Sequence, residues 1–528
     1  MSKYLRCYQD FSGGLSEAAN DNMKDNQLVR AMNIIPGEGA GLARTFGSTP
    51  ILPQLPEISG AMNRLAALIP LTLADGSTLT LAFRQSQWDE HNLYRLNSDK
   101  KGWTLLAENQ PLLLDWFVHS HKLFWLDGQK LRYYDGSVVA TAGITPAGSS
   151  PTQAENAVWA KVERAVAVEQ RGQRWFYATR NNELIFSNIG SPTSISPTSV
   201  INVNTKNDDQ ITALREFNNG LLVFKQHRVH YLSGWDLAGG SDISLYQLNV
   251  TCGAKWPKTV RTVENGVLYL GENGLYRLYV PNNSLVVAAE NISEHHIAEA
   301  LLRQGEIRDA YAEVWDNIYF LSVYGGPAMP WTIREYRYYP QLGAFFGEYT
   351  QAPTCYSLYQ GRLCFGIDHG HVLAYDKDSR HYIGADGQPL PIEILAVTKG
   401  FDVAGTMAQD IKLKSVLVMC RQFKAESSHI TLRVKADYSD SQYRLDLLNL
   451  DESLIYGEGD FATAYWGWKD TVFKELPVQR KAKRIWFFLS DDHCDEPALV
   501  YGLGLLYRKR KPRGSTEGIT RTTVIYDD

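Results

Sequence analysis

Short runs in which apolar and polar residues alternate, separated by tight clusters of Gly, Asn, Asp or His, occupy most of the chain. Alternation of period two predicts β-strands with two unlike faces, and the clusters predict turns. The clearest case is GLLVFKQHRVHYLSG, Gly220 to Gly234: an apolar strand, a polar break and a second strand rich in aromatics. The unit recurs as KLFWLDGQKLRYYDG from Lys122, GVLYLGENGLYRLYV from Gly266 and GRLCFGIDHGHVLAYD from Gly361. Looser copies begin at Ser77, Arg174 and Asn317.

One central residue per copy gives Leu81, Phe124, Trp175, Val223, Leu268, Tyr319 and Cys364, with successive spacings of 43, 51, 48, 45, 51 and 45. A repeat of that length holds about four short strands, which predicts an all-β fold with a β-propeller of six to seven blades. Alternating segments between the hairpins, such as QITALREF (210–217), TVRTVE (259–264) and EIRDAYAEV (306–314), supply further strands. No copy carries the full Gly-His…Trp-Asp signature or a kelch signature.

One helical interruption is expected in SEHHIAEALLRQ, with Ser293 as N-cap and Ile297, Leu301 and Leu302 at helical spacing. The stretch 150–165 reads equally as a short helix or a loop. After about residue 385 the period is lost, and KDSRHYIGADGQPLP reads as a linker. The alternating runs at 392–403, 411–423, 429–438, 482–492 and 499–510 predict a C-terminal β-sandwich. The chain thus divides into an N-terminal arm (1–55), a propeller (56–385), a sandwich (386–510) and a C-terminal tail (511–528). The tail segment Thr520–Tyr526, TRTTVIY, has strong β-propensity and no obvious partner, so it suits addition to a neighbour's sheet edge.

Composition narrows the classes. The 528 residues are 44% hydrophobic and 12% aromatic, and net charge is −5, which argues against a protein that coats nucleic acid. The basic cluster Arg508–Arg513 therefore reads as a solvated strand end leading into a flexible tail. The opening residues lack the apolar core of a signal peptide, and no window reaches the roughly 18 apolar residues needed to span a bilayer. Six scattered cysteines with no CxxC pair predict synthesis in a reducing cytoplasm, without a disulfide framework.

Four histidine groups invite a metal reading: His119 with His121, the turn Asp368–His369–Gly370–His371, His295–His296, and His227 with His230. None has the spacing of a zinc motif. Gly370 sits where a hairpin turn requires positive φ, so that turn reads as backbone geometry. Sialidase SxDxGxxW boxes, GxSxG and phosphate-binding glycine loops are absent. No residue is nominated as catalytic, cofactor-binding or metal-ligating, and no cofactor is expected.

The opening QDFSGGLSEAANDNMKDNQLVRAMNIIPGEGAGLARTFGSTPI (9–51) resembles the start of a class of bacteriophage tail proteins, through Gly13–Gly14–Leu15, Asn33 and Arg44–Thr45–Phe46–Gly47. The hairpins at 211–234 and 264–280 and the ending LVYGLGLLYRKRKPRG (499–514) are similar to the same proteins. The resemblance implies a tail nozzle or hub of a short-tailed phage. Six copies would form a ring below the portal and its adaptor, carry tail fibres or spikes, and conduct DNA during ejection. It also implies a virion protein with no enzymatic activity. The alternative is a propeller that binds or cleaves glycans, as receptor binder or depolymerase.

Overall fold

The computed structural model describes residues 4–58, 64–87, 89–203, 209–234, 243–281, 286–303, 306–325, 332–384, 386–403, 411–421, 430–437, 445–446, 471–491 and 499–509. Seven four-stranded antiparallel sheets follow one another along the chain. Blade 4 shows the plan: Ile211–Phe217, Gly220–Lys225, Val229–Ser233 and Ser244–Gln247 pair in chain order. The seven central residues read from the repeat fall one to a blade, each on the second strand, and each is buried. A propeller of seven blades is therefore the architecture.

Blade 7 takes only three strands from its own repeat: Cys355–Tyr359, Arg362–Gly366 and Val372–Asp376. Its outermost strand is Gly47–Leu52, paired antiparallel with Val372–Asp376. The propeller thus begins inside the segment expected to be an arm. Closure onto blade 1 is made by Thr354, whose hydroxyl donates to the Leu65 carbonyl at 3.1 Å, and by Ser357, which donates to Leu68.

The rest of the N-terminal segment is also built in. Two sheets form the C-terminal unit. In the first, Ile34–Pro36, Leu42–Arg44, Leu499–Lys509, Ile411–Arg421 and Thr471–Ala482 lie side by side, and Tyr4–Tyr8 pairs with Leu499–Lys509. In the second, Gly14–Leu15 and Gln27–Met32 continue into Ile394–Thr398, Arg484–Asp491, Thr431–Ala436 and Leu445–Asp446. Alternate residues such as Ile485, Phe487 and Leu489 from one sheet meet Val416, Val418 and Leu505 from the other in one core. This is the expected sandwich, but five of the thirteen strands described in its two sheets come from the first 44 residues. An arm left free would expose Leu28, Ala31 and Ile34, which are buried.

That core does not stop at the sandwich. It continues through Tyr319, Tyr336, Phe345 and Tyr349 of blade 6 and Leu268 of blade 5, so both units share one apolar interior.

Helix α1 (Gln153–Val162) settles the open reading of 150–165. Thr152 and Glu155 form a reciprocal capping box, and Val158, Trp159 and Val162 bury one face. Helix α2 (Ala298–Arg303) starts later than Ser293. Ser293 is instead tied to the blade 5 hairpin, accepting from the Leu275 amide at 2.9 Å. Glu17 covers the α2 amides, accepting from Glu299 and Ala300 at 2.6 and 2.5 Å. Among the described residues no helix is long and apolar enough to cross a membrane. The tail 511–528, with Thr520–Tyr526, lies outside the described residues.

Candidate functional site: a stitched hub and an N-terminal clasp

The innermost strands of all seven blades surround a cavity of about 490 Å³ on the propeller axis. Polar side chains that line it, and others set farther out on the blades, bridge successive blades. Asp115 of blade 2 accepts from the Val168 amide of blade 3 at 2.9 Å. Glu169 of blade 3 accepts from the Glu216 amide of blade 4 at 3.1 Å and faces Arg215 at 3.7 Å. Arg215 donates to the Val260 carbonyl at 2.9 Å, at the entry to blade 5. Arg261 of blade 5 pairs with Glu313 of blade 6 at 3.2 Å. Ser322 of blade 6 donates to Pro353 at 2.6 Å, which leads into blade 7. From blade 1, His91 accepts the Leu113 amide at 3.0 Å on the approach to blade 2.

Burial governs the electrostatics here. It raises the Asp115 and Glu169 carboxyls above their usual range, with Arg215 pulling both back. Burial also pushes His91 down to about 3, so it stays neutral and keeps its acceptor nitrogen. A ligand seeking these groups would compete with bonds between blades. The arrangement is a circumferential belt.

Glu169, Arg215, Arg261 and Glu313 went unnoticed in the sequence, yet a signal was present. Each stands five residues ahead of the next strand, which begins at Arg174, Gly220, Gly266 and Ile318. Opposite charges at one repeat position in successive copies mark a contact between neighbours.

A second polar cluster lies where blades 6 and 7 meet the sandwich. Arg337 and Glu335 pair at 2.7 Å with both side chains fully buried. The Arg337 guanidinium donates to Thr45 Oγ1 at 2.6 Å and lies 3.7 Å from the Tyr349 ring centre and 4.6 Å from Phe46. Glu335 also accepts from the hydroxyls of Tyr356, at 2.8 Å, and Tyr375. Beside it, Arg44 makes a buried ion pair with Asp491 of the sandwich. Asn33, at φ 54°, donates to the Glu393 carbonyl at 2.7 Å and accepts from the Thr350 amide at 2.9 Å. Gly14, at φ 61°, lies so close to the Phe345 carbonyl that a Cβ would collide with it.

Every short motif quoted from the N-terminus therefore converges on this clasp. Arg44 holds the sandwich, Thr45 and Phe46 hold blade 6, and Gly47 opens the strand that closes blade 7.

The histidine groups do not assemble. His119 ends its strand, while Ser120 and His121 turn at φ 46° and 63°, so the two histidines do not share a strand face. His121 Nδ1 donates to the Thr72 carbonyl at 3.1 Å, and the His119 ring meets Trp175 edge-on at 4.6 Å. His296 Nδ1 donates to the Leu15 carbonyl at 2.6 Å. His369 faces Glu57 at 3.0 Å, and Gly370 adopts φ 78° as its turn requires. His227 is exposed, whereas burial pushes His230 down to about 4. Among the described residues no group of three or more His, Cys, Asp or Glu side chains comes together to hold a metal.

No family model matches the chain, and no curated protein matches it. Solved structures match with low similarity. The extracellular domain assigned to a hybrid two component system, BT4673, from B. thetaiotaomicron aligns over 70% of this chain at 8% identity and a TM-score of 0.38. The chain spans 43% of that domain's length. The computationally designed Ika8 protein aligns over 62% of this chain and 99% of its own, at 10% identity and 0.35. BBS1N, solved with ARL6DN, aligns over 65% and 96%, at 11% identity and 0.37.

Proposed function

We propose that this chain is a structural tail protein of a phage, a nozzle or hub whose copies form a six-fold ring that conducts the genome on ejection. One observation carries the reading. Gly14, Asn33 and Arg44–Gly47, on which the resemblance to tail proteins rests, are the residues that lock propeller and sandwich into one block. A ring that must stay open under a moving duplex needs stiff, unhinged subunits.

In this reading DNA passes between copies, not along the propeller axis. The axial cavity of about 490 Å³ suits small molecules or water. A net charge of −5 fits a conduit that does not grip phosphate, since Lys and Arg contacts are what retain DNA. Portal, adaptor and fibre proteins are the partners this role implies, and the tail of the virion is its location.

Negative-stain imaging of the purified chain tests the proposal directly. Six-fold rings, alone or on portal–adaptor complexes, are expected. A lone 59.5 kDa particle that binds or cleaves a host polysaccharide would overturn it in favour of the glycan-directed alternative.

A further inference from the structure

We propose that the edge strand Tyr4–Tyr8 receives Thr520–Tyr526 of a second copy of this chain as an added β-strand. The inference rests on the ring reading and names the contact that would join neighbours.

Tyr4–Tyr8 pairs on one side with Leu499–Lys509, Tyr4 lying opposite Tyr507. Among the described residues no strand covers its other side. Such an edge presents a row of outward N–H and C=O groups, ready to pair with another chain. Tyr4 and Leu5 are 42% and 57% exposed, and Arg6 is the strand's one charge. The opposite edge of the same sheet, Thr471–Ala482, carries Lys474, Pro477, Arg480 and Lys481, the residue types that discourage edge pairing. One edge is guarded and the other is open.

The occupant is read from the chain itself. In TRTTVIY every residue except Arg521 is β-branched or aromatic, the composition of a strand. Ten residues, 510–519, separate it from the end of Leu499–Lys509. A return within one sheet uses a loop of roughly 2–5 residues. This connection is longer, and Arg510, Lys511 and Arg513 give it three like charges. Ten residues reach up to about 35 Å, enough to leave the parent sheet for a neighbour's.

Charge favours the same seat. Asp527 and Asp528 follow the segment, and the acceptor edge lies beside a basic strand end, with Lys509 Nζ 5.3 Å from the Tyr4 ring centre. Donor tail and acceptor edge are different surfaces, so the contact is head-to-tail, the kind that closes into rings.

Cys7 on the acceptor strand is exposed and offers a native probe. In a Cys494→Ser background, full-length Thr522→Cys, Val524→Cys and Tyr526→Cys variants are oxidised and run on non-reducing gels. At least one variant is expected to give a ladder of covalent multimers that disappears when Cys7→Ser is added. A disulfide formed within single chains, or no Cys7-dependent product in any variant, would overturn the inference. Light scattering adds a second readout: removal of residues 520–528 should lower the assembled mass, and unchanged assembly counts against it. Rings that persist without the tail would sink this contact and leave the nozzle reading standing. Cys7-linked chains that never form rings would do the reverse.

Discussion

The propeller and the sandwich are both antiparallel β-structure, yet the chain builds them in opposite ways. Blade 4 is complete within Ile211 to Gln247, each strand pairing with its predecessor. The sandwich needs both ends of the chain, and its buried Arg44–Asp491 pair joins residues 447 positions apart. Local pairing carries a small entropic cost of closure, and distant pairing a larger one. What offsets the larger cost is the shared core and the clasp. The N-terminal segment is therefore not decoration on a finished propeller. It is the part through which each unit completes the other.

Removing residues 1–52 should break this comparison most severely. Blade 7 would lose Gly47–Leu52, and the sandwich would lose five strands with Leu28, Ala31 and Ile34. Loss of a soluble, protease-resistant core is expected, checked by limited proteolysis and far-ultraviolet circular dichroism. A stable truncated propeller would show that the blades close without their outer strand.

A single substitution sharpens the point. Arg337→Ala leaves Glu335 buried without its cation, at a cost of about 3–5 kcal/mol. Arg215→Ala at the hub removes a longer, partly solvated pair, and about 1 kcal/mol is expected from the ion pair itself. Urea midpoints of the two variants measure the difference. Equal losses would mean that the belt contributes as much as the clasp.

The blades were legible because their signal is local. Each repeat states its own hairpin, so the seven residues from Leu81 to Cys364 marked seven sheets. The alternation in 482–492 and 499–510 likewise marked sandwich strands. The N-terminal segment was not legible as sandwich, since strands such as Gly14–Leu15 and Ile34–Pro36 are too short to show a period. Their partners lie hundreds of residues away, where no local pattern points. The capping box at Thr152 and Glu155 was readable, and α1 could have been assigned from it. The clasp was half visible: Arg44–Gly47 stood out as a motif, while Glu335 and Arg337 looked like ordinary alternation inside REYRYY.

Acid should loosen the hub before neutral pH does. His91 has a folded-state pKa of about 3, below its ordinary value, so the folded protein binds fewer protons than the unfolded chain. Stability from this group is present above about pH 6.5 and falls as pH drops toward 3, by about 1.4 kcal/mol per unit. His91→Asn keeps an acceptor for the Leu113 amide and removes the titration. Its unfolding free energy relative to wild type, from urea titrations, should be about 2 kcal/mol more favourable at pH 5 than at neutral pH. His230, held near 4, retains a smaller acid sensitivity in the variant.

Asp115 gives the smallest effect and the opposite sign. Burial raises its folded-state pKa, so the folded protein holds this proton to higher pH than the unfolded chain does. Its contribution is most favourable below the unfolded value of about 4 and declines as pH rises toward the folded one. Asp115→Asn removes that decline. It also removes one acceptor, because Asp115 serves both the Val168 and Trp116 amides and an asparagine oxygen serves them less well. Near pH 4 the variant should therefore be slightly less stable than wild type, by about 1 kcal/mol. With rising pH the gap should narrow or reverse, as wild type loses what the variant never had. A gap that widens toward pH 8 would mean that Arg215 and Arg261 hold Asp115 ionised, and that charge ties blade 2 across the hub to blades 4 and 5 as it ties blade 5 to blade 6.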